Sequence, residues 1–233
     1  MLILSLDSTA TTASTALVKD GKVLSEYTVN AGNTHSVTLL PMIENMLKMT
    51  GTALSDIDVF AASVGPGSFT GVRIGTSTIK GLAFSNNAPC VGVSTLEALA
   101  YNLHGTGGII CPCMNARRGQ VYTAIFEDGD TVKRLTDDMA ISIEELESIL
   151  SNFEGEVHFT GDGYFLVSHL SDKKTQERLT LQSAVNVACV AEKIYNEAED
   201  KSVFTHASLN PTYLRKPQAE REREERLKAE GNN

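Results

Sequence analysis

The chain has 233 residues, 42% hydrophobic and 21% charged, the balance of a folded globular protein and long enough for one large domain or two small lobes. A formal charge of −9, no Trp and few aromatics exclude a surface that binds polyphosphate or stacks bases unaided; any nucleic-acid role needs a local basic patch or a more basic partner. The opening Met1-Leu2-Ile3-Leu4-Ser5-Leu6-Asp7 lacks the basic start and long apolar run of a signal peptide, and no stretch approaches the ~18–20 apolar residues of a membrane span. A cytoplasmic protein with no membrane contact is expected.

Leu2, Leu4 and Leu6 share one face of an opening strand, Thr15-Ala16-Leu17-Val18 continues the β pattern, and Asp20-Gly21 supplies a hairpin turn before Val23 to Val29. Ser36 to Thr50 takes a helical period. On it Leu39, Leu40, Ile43 and Leu47 are expected to cover the sheet. Met42, Met46 and Met49 recur at i, i+4 and i+7 on a neighbouring face; such a stripe is usually core filling, but a helix apolar on two sides favours a partner here. Ile57 to Val64 is a buried strand ending at Gly65. The stretch Gly65-Pro66-Gly67-Ser68-Phe69-Thr70-Gly71 then leads into a helix over Thr70 to Phe84, Cys90 to Val93 is another strand, and Ser94-Thr95-Leu96-Glu97 opens a third helix like a capping box.

Near Gly107 similar material begins again. Ile109-Ile110-Cys111-Pro112-Cys113-Met114-Asn115 resembles the opening strand, and Val121-Tyr122-Thr123-Ala124-Ile125-Phe126 its hairpin partner. Asp7 corresponds to Asn115, Thr15-Ala16 to Thr123-Ala124 and Asp20-Gly21 to Asp128-Gly129, all 108 residues on; Gly65-Pro66-Gly67 falls opposite Gly161-Asp162-Gly163, 96 residues on. The pattern suggests duplication. It predicts an N-terminal lobe over residues 1–104, a hinge at His104-Gly105-Thr106-Gly107-Gly108, a C-terminal lobe over 105–215, and a mixed-charge tail or helix over 216–233.

The glycine stretch follows a strand and opens a helix, where backbone N–H groups can face an anion. It is not a Walker A loop, because Val72-Arg73 follows Gly71, nor a strict dinucleotide fingerprint. A tight turn with close backbone packing is an equally good reading, and a protein interface a third. Asp7-Ser8-Thr9 and Asn115-Ala116-Arg117-Arg118 would face each other across the cleft of a duplicated fold. Candidate nucleotide or anion contacts are therefore Asp7, Ser8, Gly65, Gly67, Ser68, Asn115, Arg117 and Arg118. Yet Asn115 cannot act as a base, and Asp7 alone is weak equipment for phosphoryl transfer; hydrogen bonding to the hairpin backbone is its structural alternative. The five histidines form no HxxxH or HExxH pair and the four cysteines no CxxC, so no metal site or catalytic residue is assigned, and buried thiols are expected.

These residues resemble the bacterial TsaB (YeaZ) family. The resemblance is carried by Leu6-Asp7-Ser8-Thr9, Thr34-His35-Ser36, Leu39-Leu40-Pro41, the run from Gly65 to Gly75, Lys80-Gly81-Leu82-Ala83, Gly92 to Ala100, Ala116 to Tyr122 and Pro211-Thr212-Tyr213-Leu214-Arg215. It implies an α/β fold of the actin/Hsp70/sugar-kinase-like class: a duplicated two-lobe fold with mixed sheets and a reduced second lobe. It also implies a non-catalytic partner or scaffold in forming N6-threonylcarbamoyladenosine beside the anticodon of tRNAs that read codons starting with A. The partners implied are a metal-bearing TsaD-like transferase and a TsaE-like ATPase, with tRNA met indirectly through the complex and a homodimer as a further arrangement. No intrinsic cofactor is implied, since ATP/ADP and metal belong to the partners. The family packs its first two helices into a partner's, which points to Leu39, Met42, Ile43, Met46, Met49, Arg73, Ile74 and Ser77. One departure is Asn115, where the family usually carries Asp. The competing reading is a self-sufficient enzyme of the same fold, a small-molecule kinase or metalloprotease.

Overall fold

The computed structural model describes residues 1–215; the expected charged tail over 216–233 lies outside the described residues. The first half runs β1 (Leu2–Asp7), β2 (Ala13–Lys19), β3 (Lys22–Val29), α1 (His35–Thr50), β4 (Val59–Gly65), α2 (Phe69–Asn86), β5 (Cys90–Ser94) and α3 (Thr95–Ala100). Its five-stranded sheet has the order β3-β2-β1-β4-β5, antiparallel through the hairpins and parallel from β1 to β4 to β5. Asp20 and Gly21 both take positive φ at the β2–β3 turn, as a two-residue hairpin requires. Both faces of the sheet are covered, so β1 is buried along its whole length rather than alternately. Leu2, Leu4 and Leu6 meet α1 and α2 on one face; Ile3, Ala16 and Val18 meet the last helix on the other.

The second half repeats the plan in reduced form: β6 (Gly108–Arg117), β7 (Gln120–Thr123), β8 (Phe126–Asp128), β9 (Val132–Arg134), β10 (Met139–Ser142), α4 (Ile143–Leu150), β11 (Val157–Thr160), α5 (Tyr164–Val167) and α6 (Ala184–Glu197). The sheet order is β10-β7-β6-β8-β9, with β11 parallel to β6 as β4 is to β1. The duplicated α/β architecture expected of an actin/Hsp70/sugar-kinase-like protein is therefore present, and the second lobe has no counterpart of β5 among the described residues.

Three details differ from the sequence expectation. The single strand expected over Val121 to Phe126 is split into β7 and β8, although both pair with β6 in one register. Pro112 of β6 has no N–H to give the ladder at the break, and Ile125 pairs instead with the 135–136 segment. Asp128 is not a turn residue like Asp20: its carboxylate accepts Nδ1 of His104 at 2.7 Å and the N–H groups of Gly105 and Gly107, which fixes the hinge. Lastly, the boundary expected at 104/105 separates the two sheets but not the two packing units. The apolar stripe of α6 (Ala184, Val187, Ala188, Val190 and Ala191) covers the first sheet, and Leu209 is buried in the first lobe's core.

Candidate functional site

The loop after β1 is held by Asp7. Its Oδ1 accepts the backbone N–H of Thr9 at 2.9 Å and the Thr9 hydroxyl at 2.7 Å, while Oδ2 accepts the Ser63 hydroxyl at 2.5 Å. The side chain is buried, and desolvation pushes its pKa above the usual carboxylate range despite these bonds. Ser8 is buried too, its hydroxyl donating to the carbonyl of Gly71 at 2.9 Å. Glycines let α2 seat directly on this loop. A Cβ on Gly71 would collide with the Ser8 carbonyl, and one on Gly75 with the Ser8 hydroxyl; Ser68 donates its N–H to the Thr9 carbonyl at 2.6 Å. Gly65, at φ +115°, lies against the Thr212 backbone rather than the cleft. Asp7, Ser8 and Gly65 thus stand behind the cleft wall, performing the close backbone packing that was one of the readings open for the glycine stretch.

A cleft of about 570 Å³ lies between the lobes. Gly67 and Ser68 line one wall, and Asn115 and Arg117 the other; Arg118 is exposed at the tip of the β6–β7 hairpin. Thr9, on the loop expected to face the cleft, also lines it, as do Thr11, Tyr122 and Asp162, to which sequence reasoning gave no role. Asp162 was the findable one, because it stands between the two glycines that the repeat aligns with Gly65 and Gly67. Its Oδ1 accepts the N–H of Asn115 at 3.3 Å, and desolvation, with a smaller contribution from the charge of Asp7, raises its pKa. Asn115 does for its own loop what Asp7 does for the first: its Oδ1 accepts the N–H of Arg117 at 2.8 Å.

The cysteines are buried or half-buried free thiols. Cys111 and Cys113 lie with sulfurs 3.8 Å apart beside Thr123, and burial pushes the Cys113 thiol up; Cys90 is pushed up to about 11 by desolvation. Neither Cys90 nor Cys113 is a ready nucleophile at neutral pH. Among the described residues no three His, Cys, Asp or Glu side chains come together as a cation site, and no helix is long and apolar enough to cross a membrane.

The helix face needs correction. Leu39, Met42, Ile43 and Met46, placed on a partner surface by the resemblance, are at most 6% exposed and belong to the first lobe's core; for Leu39 and Ile43 this is the sheet-covering place that their helical stripe predicted. Positions 39, 42, 43 and 46 form one i, i+3, i+4, i+7 stripe opposite Glu44 and Lys48, and that stripe turns to the sheet. Leu40, expected to cover the sheet, is instead exposed, with Val37 and Met49. Of the remaining candidates Arg73 and Ser77 are exposed on α2 and Ile74 is half-buried. Together with His35, Ser36, Leu39, Leu40 and Thr78 they line a groove of about 350 Å³ between α1 and α2.

The segment after Leu209, which carries part of the resemblance through Pro211-Thr212-Tyr213-Leu214-Arg215, was given no structural role by the sequence. Thr212 donates its N–H to the Val64 carbonyl at 2.7 Å, near the C-terminal end of β4. Tyr213 stacks on Phe69 with centroids 4.0 Å apart, and Arg215 Nη1 donates to the Ala116 carbonyl of the other lobe at 2.7 Å. This strap closes one end of the cleft. At a second interlobe contact Arg134 pairs with Glu97 at 3.1 Å and with Asp138 at 2.6 Å, and the Ser94 hydroxyl donates to Asp138.

The paired sheets, the two matching turn loops and the cleft between them define a duplicated two-lobe protein of the actin/Hsp70/sugar-kinase-like class. The family model for TsaD, tRNA N6-adenosine threonylcarbamoyltransferase, matches residues 23–223. The TsaB tRNA threonylcarbamoyladenosine biosynthesis protein of Bacillus subtilis is 29% identical over 94% of this chain and 96% of its own length. Its Escherichia coli namesake is 38% identical over 54% of this chain and 55% of its own. In structure, YeaZ from Pseudomonas aeruginosa superposes with a TM-score of 0.79 over 91% of this chain and 99% of its own, at 24% identity, which bears on the fold. The chain belongs to the TsaB (YeaZ) family, within the reach of the TsaD family model.

Proposed function

We propose that this chain is the non-catalytic partner of a TsaD-type transferase in the formation of N6-threonylcarbamoyladenosine in tRNA, acting in the cytoplasm. The observation that carries the reading is the state of the two loops that face the cleft. Asp7 has both carboxylate oxygens engaged inside the first lobe, and its counterpart across the cleft is the neutral Asn115. Among the described residues the cleft lining then holds one carboxylate, that of Asp162, and not a facing pair to bind a metal or activate water, which supports placing the chemistry on the partner. The relatives named TsaB support the pathway, and the transferase-like family match supports a partner of the same architecture.

The partner surface is the exposed side of α1 and α2: Val37 and Leu40 with Arg73, Ile74 and Ser77 around the groove. Ser77, Gly81 and Ser85, all exposed and one helical turn apart, keep the outer face of α2 flat, so a partner helix can come close. A TsaE-type ATPase joins the pair, tRNA is met through the complex, and a second copy of the chain competes for the same face.

Reconstitution tests this. The purified chain should make no modified nucleoside alone, and should restore its formation when added to TsaD- and TsaE-type partners with a source of threonylcarbamoyl-adenylate. Full activity of that mixture without the chain overturns the proposal. Val37→Glu should weaken partner binding at unchanged stability. Met46→Glu would instead bury a carboxylate without a partner and cost the first lobe several kcal/mol, so it reports on the core and not on docking.

A further inference from the structure

We propose that Arg73 is a preorganised carboxylate receptor on the α1–α2 face, held in place by the C-terminal strap, and that the transferase-type partner seats a helix there carrying an acidic side chain for it. The inference rests on the docking reading above and adds the chemistry of the occupant.

Arg73 is exposed, yet its guanidinium is fixed on three sides. Nε donates to the Tyr213 hydroxyl at 2.8 Å, and the guanidinium carbon lies 5.2 Å from the Phe69 ring centroid and 5.6 Å from that of Tyr213. Those two rings are parallel to within 5°. Tyr213 is itself anchored: Leu209 is buried, Thr212 is bonded to β4, and Arg215 is bonded to the other lobe. An exposed arginine ordinarily loses side-chain entropy when it binds; here much of that loss has been met in the folded chain, which favours tight capture of a ligand. With Nε taken by tyrosine, the two Nη groups remain as a planar fork, the geometry that matches a carboxylate.

The surroundings indicate what comes to the fork. Arg73 is the one lysine or arginine lining the groove, whose other walls are Leu39, Leu40, Ile74, His35 and three hydroxyl side chains. Among the described residues no carboxylate forms an ion pair with it. A groove with apolar walls and a single fixed cation at its rim complements an amphipathic helix with apolar residues for Leu40 and Ile74 and an Asp or Glu for Arg73.

The test is calorimetric titration of the full chain with the transferase-type partner at low and high salt. Arg73→Ala should weaken binding by about tenfold to a hundredfold and flatten its salt dependence. Arg73→Lys, a point charge that cannot present the fork, should recover only part of the loss. Tyr213→Phe keeps the ring stack but removes the acceptor for Nε, and should weaken binding by about three- to tenfold with an unchanged melting temperature. Val37→Glu is the control for the face itself. If it abolishes binding while Arg73→Ala and Tyr213→Phe bind like the parent, the receptor is overturned and the docking face stands. If Val37→Glu binds like the parent, the docking reading falls. Full affinity with Arg73→Lys overturns the fork geometry. If Arg73→Ala and Glu44→Gln weaken only self-association of the chain, the occupant is a second copy, contrary to the proposal.

Discussion

After β1, the Asp7 carboxylate accepts the N–H of Thr9 two residues on; after β6, the Asn115 amide oxygen accepts that of Arg117, also two residues on. The same local turn thus opens both lobes, but its setting differs. In the first lobe the loop is sealed: Asp7, Ser8 and Thr9 are buried, and α2 lies against them through Gly67, Gly71 and Gly75. In the second the loop is open: Asn115, Arg117 and Arg118 are exposed, and the short α5 follows where the first lobe has the eighteen residues of α2. A long helix packed on the loop makes the turn a structural joint and leaves the outer side of that helix exposed. The duplicated fold keeps the local turn in both lobes and builds a joint on only one of them.

The sharpest way to break the comparison is to force α2 off its loop. Gly71→Ala places a methyl group into the Ser8 carbonyl, a backbone atom that cannot yield without moving β1 or α2. It should cost about 3–4 kcal/mol or prevent folding, measured by denaturant unfolding. Gly129→Ala, at the turn between β8 and β9, meets nothing within 4 Å at a residue with ordinary φ; it is the control for glycine replacement alone and should be near neutral. A cost for Gly71→Ala no larger than that of the control would show that α2 does not depend on this close approach.

Next in size is removal of the two turn-holding side chains. Asp7→Ala leaves the Thr9 N–H and the Ser63 and Thr9 hydroxyls without their acceptor in a buried site, and should cost about 2–4 kcal/mol. Asn115→Ala loses one hydrogen bond at an exposed loop, a cost of roughly 0.5–1 kcal/mol. Chemical denaturation of the two variants side by side decides whether the first loop is the structural one.

How much of this was legible depended on whether a feature is local or made by distant chain. The opening strands, the Asp20-Gly21 hairpin, the glycine turn into α2 and the repeat itself rest on short-range rules of alternation and turn chemistry, and they could be read in order. The inward face of α1 was misassigned because two adjacent apolar stripes differ by one helical position, and only the placement of Glu44 and Lys48 distinguishes them. The split of the strand opposite β6 had a visible cause in Pro112, but its effect depends on which strand pairs there. The return of α6 to the first sheet, and the strap that clamps Phe69, Arg73 and Ala116, join residues far apart in sequence: 179 positions for Ser5 and Ala184, 140 for Arg73 and Tyr213, 99 for Ala116 and Arg215. No local pattern says where such a segment docks.

The hinge gives a pH test of smaller size. Desolvation alone would raise the pKa of Asp128, but hydrogen bonds from His104, Gly107 and Gly105 prevail and lower it below its ordinary 3.8. The sign follows: a depressed folded-state pKa contributes stability that is present above the unfolded value and lost as pH falls through the folded value. Stability should therefore drop below about pH 4 more steeply in the parent than in Asp128→Asn, which lacks the titrating group. Parallel curves for the two proteins between pH 5 and about pH 3 would mean that the hinge does not depend on this charge.

The smallest effect probes why the second loop carries an amide. Asn115→Asp retains the oxygen that accepts the Arg117 N–H, so the turn should persist. It also places a carboxylate beside Asp162, whose Oδ1 already meets the Asn115 backbone and whose pKa is raised by desolvation and, to a lesser degree, by Asp7. Two carboxylates sharing a cleft wall repel when both are ionised, and the strain eases when one takes a proton. The variant should lose about 1 kcal/mol or less at neutral pH and regain it on acidification, with the midpoint of Asp162 moved further up in an NMR titration. A divalent cation that bound the variant but not the parent would show that a single amide separates the open loop of this chain from a metal-binding one. An unshifted Asp162 would instead show that Arg117 on the same cleft wall screens the pair, and that Asn115 is there for the turn alone.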